Sequence, residues 1–118
     1  MKMSAIQTKY GVLYGRNALI LTDAKLTFYP WELRLTTSLS LSACKPAIMN
    51  RDNVIVDFIF RDIESLSIFK TDDYPYEKYT SSCFDMVIGE CKNENERIVL
   101  STYDQVFDIV GKYLVTYT

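Results

Sequence analysis

Apolar and polar positions alternate along most of the chain. The clearest case is 33–42, where Leu33, Leu35, Leu39 and Leu41 share one parity with Thr37 between them. Arg34, Thr36, Ser38, Ser40 and Ser42 fill the other parity. Such a period of two predicts a half-buried strand, because a helix would scatter those leucines around its circumference. Tyr10, Val12 and Tyr14 alternate in the same way and run into a turn signal at Gly15-Arg16-Asn17. Ala18 to Thr22 and Lys25 to Pro30 are short strand-forming runs separated by Asp23-Ala24, a spacing that predicts a β-hairpin. Pro30 has no N–H for a ladder, so it belongs at the end of its strand or on an edge. Residues 43–53 break the pattern with Pro46 and the polar run Asn50-Arg51-Asp52-Asn53. Val54 to Phe60 is β-branched and aromatic and predicts a strand; Arg61-Asp62 interrupts it; Leu66 and Ile68 then alternate with Ser65 and Ser67 in a further strand over 63–70. Cys83 to Gly89 and Arg97 to Leu100 are read as strands too, with Lys92 to Glu96 as a polar turn between them. Residues 1–8 carry no such pattern and are read as a loose N-terminal arm.

The end of the chain follows a different period. Tyr103, Val106, Phe107, Val110, Tyr113 and Leu114 fall at helical spacing and form one stripe, with Asp104, Gln105, Asp108 and Lys112 off it. Ser101-x-x-Asp104 and Thr102-x-x-Gln105 are possible capping boxes, and Lys112 lies near the C-terminal end, where the helix dipole favours a cation. These features predict an amphipathic helix whose apolar face covers the sheet. Gly111 is a defect of about 1 kcal/mol in such a helix.

With 118 residues the chain has room for one domain. Its 24% charged and 48% apolar residues are the balance of an ordinary globular protein. Thirteen basic and fifteen acidic residues leave a net charge of −2, which argues against a nucleic-acid partner. No histidine is present, so the commonest general base and metal ligand are missing. No GxSxG, HExxH, P-loop or GxGxxG motif occurs. The expectation is a protein that is not an enzyme and carries no cofactor or metal. Cys44, Cys83 and Cys91 are odd in number and form no CxxC, which suits small apolar fillers in a reducing compartment. The N-terminus has no apolar signal region, and the longest apolar run is Ala18 to Leu21, so a cytoplasmic location is expected.

A run of seven to eight short strands followed by one helix is a restrictive order. The segment Leu19-Ile20-Leu21-Thr22-Asp23-Ala24-Lys25-Leu26-Thr27-Phe28 and the segment Arg61-Asp62-Ile63-Glu64-Ser65-Leu66 carry it further. On these residues, and on the closing strand and helix at 97–115, the chain resembles the pleckstrin-homology-like superfold, in particular its GRAM and bacterial PH-like branches. The resemblance spans roughly residues 10–115. It implies a mainly β protein: an antiparallel barrel or roll of seven to eight strands closed by one C-terminal amphipathic helix, with 9–118 as a single PH-like domain. It also implies two classes of partner, proteins and phosphoinositide headgroups. The first candidate turns offer only Arg16 and Lys25, with Asp23 beside them, which is sparse for a lipid-phosphate site.

The loop 71–82 is the main site candidate. Tyr74, Tyr76 and Tyr79 surround Pro75 among Asp72, Asp73, Glu77 and Lys78. Tyrosines supply large, rigid contact area with a polar tip, which suits protein recognition. The plainer alternative is a solvated hairpin loop whose tyrosines fold back on the barrel. Arg34, Lys45 and Arg51 form a second candidate, for an anion, if they converge. The functional expectation is a non-catalytic, adaptor-like protein-interaction module. It would use the 71–82 loop, an exposed strand edge, or both. The same edge is able to pair two copies in a homodimer. The alternative is a membrane-surface module binding anionic lipid headgroups.

Overall fold

The computed structural model describes residues 3–13, 18–45, 48, 53–70, 86–88 and 95–117. Among these residues ten strands follow one another: β1 (Met3–Ala5), β2 (Gln7–Thr8), β3 (Gly11–Leu13), β4 (Leu19–Phe28), β5 (Trp31–Leu39), β6 (Cys44–Lys45), β7 (Val54–Lys70), β8 (Met86–Ile88), β9 (Glu96–Ser101) and β10 (Gln105–Tyr117). A single 3-10 turn at Leu41–Ala43 lies between β5 and β6. The main sheet is antiparallel throughout, in the order β1-β8-β9-β10-β7-β5-β4. Five strands, β9-β10-β7-β5-β4, make its body, and β8 and β1 extend it by three residues each. Its ends, β1 and β4, are not paired with each other among the described residues, so the sheet is open rather than a closed barrel. A second sheet, β2-β3-β6, is small.

The core lies on one face of the main sheet. Leu33, Leu35, Thr37 and Leu39 of β5 face it, opposite Phe60, Phe58, Val56 and Val54 of β7. The predicted parity of 33–39 therefore holds. Thr37 is fully buried and donates its hydroxyl to the Val56 carbonyl at 2.8 Å, which satisfies the one polar group on that row. Ile6, Leu13, Leu41 and Cys44, from the small sheet and its flanks, join the same buried cluster as Leu35, Phe58, Phe60, Leu100 and Ile109. Residues 3–8 are not a loose arm: β1 pairs with β8, β2 pairs with β3, and Ile6 between them is wholly buried.

The expected C-terminal helix is a strand. Gln105–Tyr117 pairs along its length with β7, and its first half also pairs with β9. The mistaken period has a physical cause. Val106, Phe107 and Ile109 are all buried, so the first half of β10 is apolar on both faces, and a doubly buried strand loses the alternation that marks it. The second capping box serves another purpose. Thr102 N–H donates to the Gln105 carbonyl at 2.7 Å, and Gln105 N–H donates to the Thr102 hydroxyl at 3.2 Å, closing the β9–β10 hairpin.

The count of seven to eight strands also fails. Four predicted strands merge into two, because β4 and β7 each run through their expected interruption as a bulge. In β4 the register shifts between Leu21 and Asp23, and the Thr22 hydroxyl donates to the Thr36 carbonyl at 3.0 Å. The chain reverses later, at Tyr29-Pro30, where the peptide bond is cis and Phe28 pairs with Trp31. In β7 the pairing jumps from Val110↔Ser65 to Lys112↔Arg61, so residues 62–64 stand against Gly111 alone. Asp62 adopts a positive φ of 51° there. The buried Asn95 side chain holds the bulge, donating from Nδ2 to the Asp62 carbonyl at 3.2 Å and to Glu64 Oε1 at 3.0 Å.

Candidate functional site

The sheet ends in β4. On one side β4 pairs with β5; among the described residues no strand pairs with its other side, and at its start the Tyr103 N–H donates to the Leu19 carbonyl at 2.8 Å. At ten residues it is far longer than the other strands that end a sheet, β1, β2 and β6, of three, two and two residues. A free edge presents unpaired N–H and C=O groups and is a template for another strand.

The bulge decides which side chains this edge offers. Before it, Leu19 and Leu21 lie across from Leu39 and Thr37 on the core face. Thr22 is the extra residue and shifts the parity. After it, Ala24, Leu26 and Phe28 take the core face, across from Leu35, Leu33 and Trp31, and Asp23, Lys25 and Thr27 take the outer face. The core takes in the start of β4, where Leu19 is wholly buried, and runs out beyond the bulge. Leu33 and Leu35 are buried, but Leu26 is 40% exposed and Phe28 66% exposed, and Tyr29 at the hairpin tip is 99% exposed. The apolar face of the sheet therefore continues past its covered region onto an open edge.

On the outer face Lys25 stands directly across from Arg34. Like charges in that position repel. Among the described residues neither makes an ion pair, whereas Arg61 lies 3.3 Å from Glu32, Lys112 lies 3.5 Å from Asp62, and Arg97 grips Asp108 at 2.6 Å.

The β7 bulge makes two open clefts. One of about 210 Å³ is lined by Pro30, Trp31, Glu32, Arg61, Asp62 and Ile63, and one of about 290 Å³ by Arg61, Asp62, Lys112, Tyr113 and Leu114. Both fall below the roughly 300–1,000 Å³ of a typical small-ligand site. Among the described residues the buried indole N–H of Trp31 has no hydrogen-bond partner. Burial raises the Cys44 thiol above its ordinary value of 9.0, and burial together with nearby Glu96 raises the Tyr113 phenol above 10.0. Neither shift makes a nucleophile near neutral pH.

Of the candidates read from the sequence, Tyr74, Tyr76, Tyr79, Asp72 and Asp73 lie outside the described residues, as does Arg51. Arg34 is exposed on β5, while Lys45 belongs to β6 of the small sheet. The cation that the structure sets beside Arg34 is Lys25. The sequence pattern does not mark Ala24, Lys25, Leu26 and Phe28 as a site, because Asp23-Ala24 reads as a turn. The signal was present: Ala24, Leu26 and Phe28 alternate up to Tyr29-Pro30, a two-residue link of the length hairpins favour.

The chain matches no family model, no curated protein and no solved structure. The resemblance to PH-like domains called for a closing helix, and that segment is β10. Among the described residues, no helix is long and apolar enough to cross a membrane.

Proposed function

We propose that this protein is a non-catalytic interaction module that takes up an extended segment of another protein along the free edge of β4. The observation that carries this reading is the exposure of Leu26 and Phe28 on the core face of a terminal strand whose second side, beyond the bulge, has no paired strand among the described residues. Strand addition draws affinity from main-chain hydrogen bonds and specificity from alternate side chains. Here the alternate side chains are Ala24, Leu26 and Phe28. Covering the exposed parts of Leu26 and Phe28 is worth roughly 2–3 kcal/mol, at about 1.5–3 kcal/mol per fully buried large apolar side chain. That sum is modest, so main-chain pairing supplies most of the binding. The alternative, a lipid-surface module, would use Lys25 and Arg34, and sedimentation with anionic vesicles at low salt separates the two.

The test is selection of peptides from a random displayed library against the full chain. Enriched sequences are expected to alternate apolar and polar residues and to lose binding to the double variant Leu26→Lys, Phe28→Lys. Selected peptides that bind this variant as tightly as the wild type would refute the reading.

A further inference from the structure

We infer that the segment docked on β4 carries a carboxylate directly across from Lys25. This rests on the edge-docking reading and names its ligand. Lys25 and Arg34 are opposed on the outer face, both exposed, and among the described residues neither has an acidic partner. A strand added beyond β4 places one residue across from Lys25 on that same face, with Cβ atoms about 4.5–5.5 Å apart. An Asp or Glu there completes a row of carboxylate, Lys25 and Arg34 and relieves the repulsion between the two cations. The residues before and after it in the added strand face the other way, beside Ala24 and Leu26, and the next residue on that face lies beside Phe28. The ligand is thus an extended segment with an acid flanked by apolar residues and a third apolar residue two positions beyond one of them. Asp23, two positions from Lys25 on the same face, repels the acid from the neighbouring register and so fixes the alignment.

A second copy of this chain fits less well. The one acid on its own β4 is Asp23, which meets Lys25 only in antiparallel pairing about Ala24. That register sets the Thr22 bulge of each copy against Leu26 of the other and leaves three regularly paired residues. A foreign strand has no bulge and pairs along the whole of Asp23–Phe28.

The experiment uses fluorescent peptides containing Val-Glu-Val-Thr-Val, for parallel addition, and Val-Thr-Val-Glu-Val, for antiparallel addition. Each is compared with its Gln counterpart by fluorescence anisotropy with the full chain. Amide shift perturbations should centre on 23–28. The Glu peptide of one orientation should bind about three- to fivefold tighter than its Gln counterpart at low salt, the scale of an exposed ion pair, and the gap should close as salt is added. The double variant Lys25→Glu, Arg34→Glu should prefer a Lys peptide. Equal binding of Glu and Gln peptides overturns the carboxylate inference and leaves edge docking standing. No binding of either peptide at β4 overturns both. Dimerisation in sedimentation experiments that Leu26→Lys abolishes would replace the foreign strand by a second copy.

Discussion

Gly111→Ala tests the architecture at its most consequential point, because a strand and a helix predict opposite signs. Gly111 stands alone against three residues of the β7 bulge. A Cβ built on it would lie 2.8 Å from the Arg61 carbonyl oxygen, 3.2 Å from the Ile63 Cα and 3.4 Å from the Asp62 carbonyl oxygen. All three atoms are backbone, so no rotamer change makes room; the bulge itself must open. Its hold by Asn95 resists that movement. Overpacking of this kind costs about 1–3 kcal/mol, and replacing glycine returns about 0.4–1 kcal/mol through the unfolded chain. The net expectation is a loss of about 1–2 kcal/mol. In urea denaturation followed by circular dichroism, with a slope of about 1–3 kcal/mol per molar, the midpoint should fall by roughly 0.5–1 M. Lys112→Ala, next along the strand and exposed, removes only the surface ion pair with Asp62 and should change stability by less than about 0.5 kcal/mol. If position 111 were helical, alanine would instead stabilise by up to about 1 kcal/mol. An unchanged or raised midpoint for Gly111→Ala would therefore refute the bulge and the pairing of β10 with β7.

What could be read from the sequence follows from how each strand is buried. β5 faces the core with one parity only, so its leucines announce both its state and its inner face. β7 and β4 were legible as strand-forming runs but not as continuous strands. Arg61-Asp62 and Asp23-Ala24 look like turns, and a bulge interrupts an apolar run in the same way while leaving the chain running in its original direction. β10 was illegible because two buried faces erase the period, and Thr102 and Gln105 hydrogen-bond to each other in a hairpin at the spacing a helix start would use. The docking edge depends on which strand ends the sheet. That is a matter of long-range pairing order, and no local pattern carries it.

Three further outcomes are expected. Leu26→Lys with Phe28→Lys should cost about 1–2 kcal/mol of stability, since Leu26 is 40% and Phe28 66% exposed and the lysine stems keep part of the lost contact, and should leave the protein folded while abolishing peptide binding. Asp108→Asn should destabilise by about 1–2 kcal/mol, because Arg97 donates to both carboxylate oxygens, at 2.9 and 2.6 Å, from a partly buried position; a smaller urea shift than about 0.3 M would contradict this. Cys44 and Tyr113 both have raised folded values, so the stability they confer is fully present below about pH 9.0 and pH 10.0 and is lost as pH rises through those folded values. Alkaline urea melts should show this decline, Tyr113→Phe should flatten its upper part, and mass spectrometry should find Cys44 unalkylated at pH 8 until the protein unfolds.

The way this fold treats its strand edges bears on what β4 is for. β1, β2 and β6 end their sheets at three residues or fewer, too short to template another chain. β4 is ten residues long and is guarded differently. The Thr22 bulge breaks its flatness, and Asp23 and Lys25 put charge of both signs on the outer face. Those devices act against a partner that carries the same bulge or the wrong charge; they do nothing against a straight strand with an acid in the right place. An edge meant only to stay unpaired would gain from a lysine in place of Leu26 or Phe28, where a charged head reaches solvent. The chain instead keeps large apolar side chains at those positions, and that choice favours selective pairing over blanket protection.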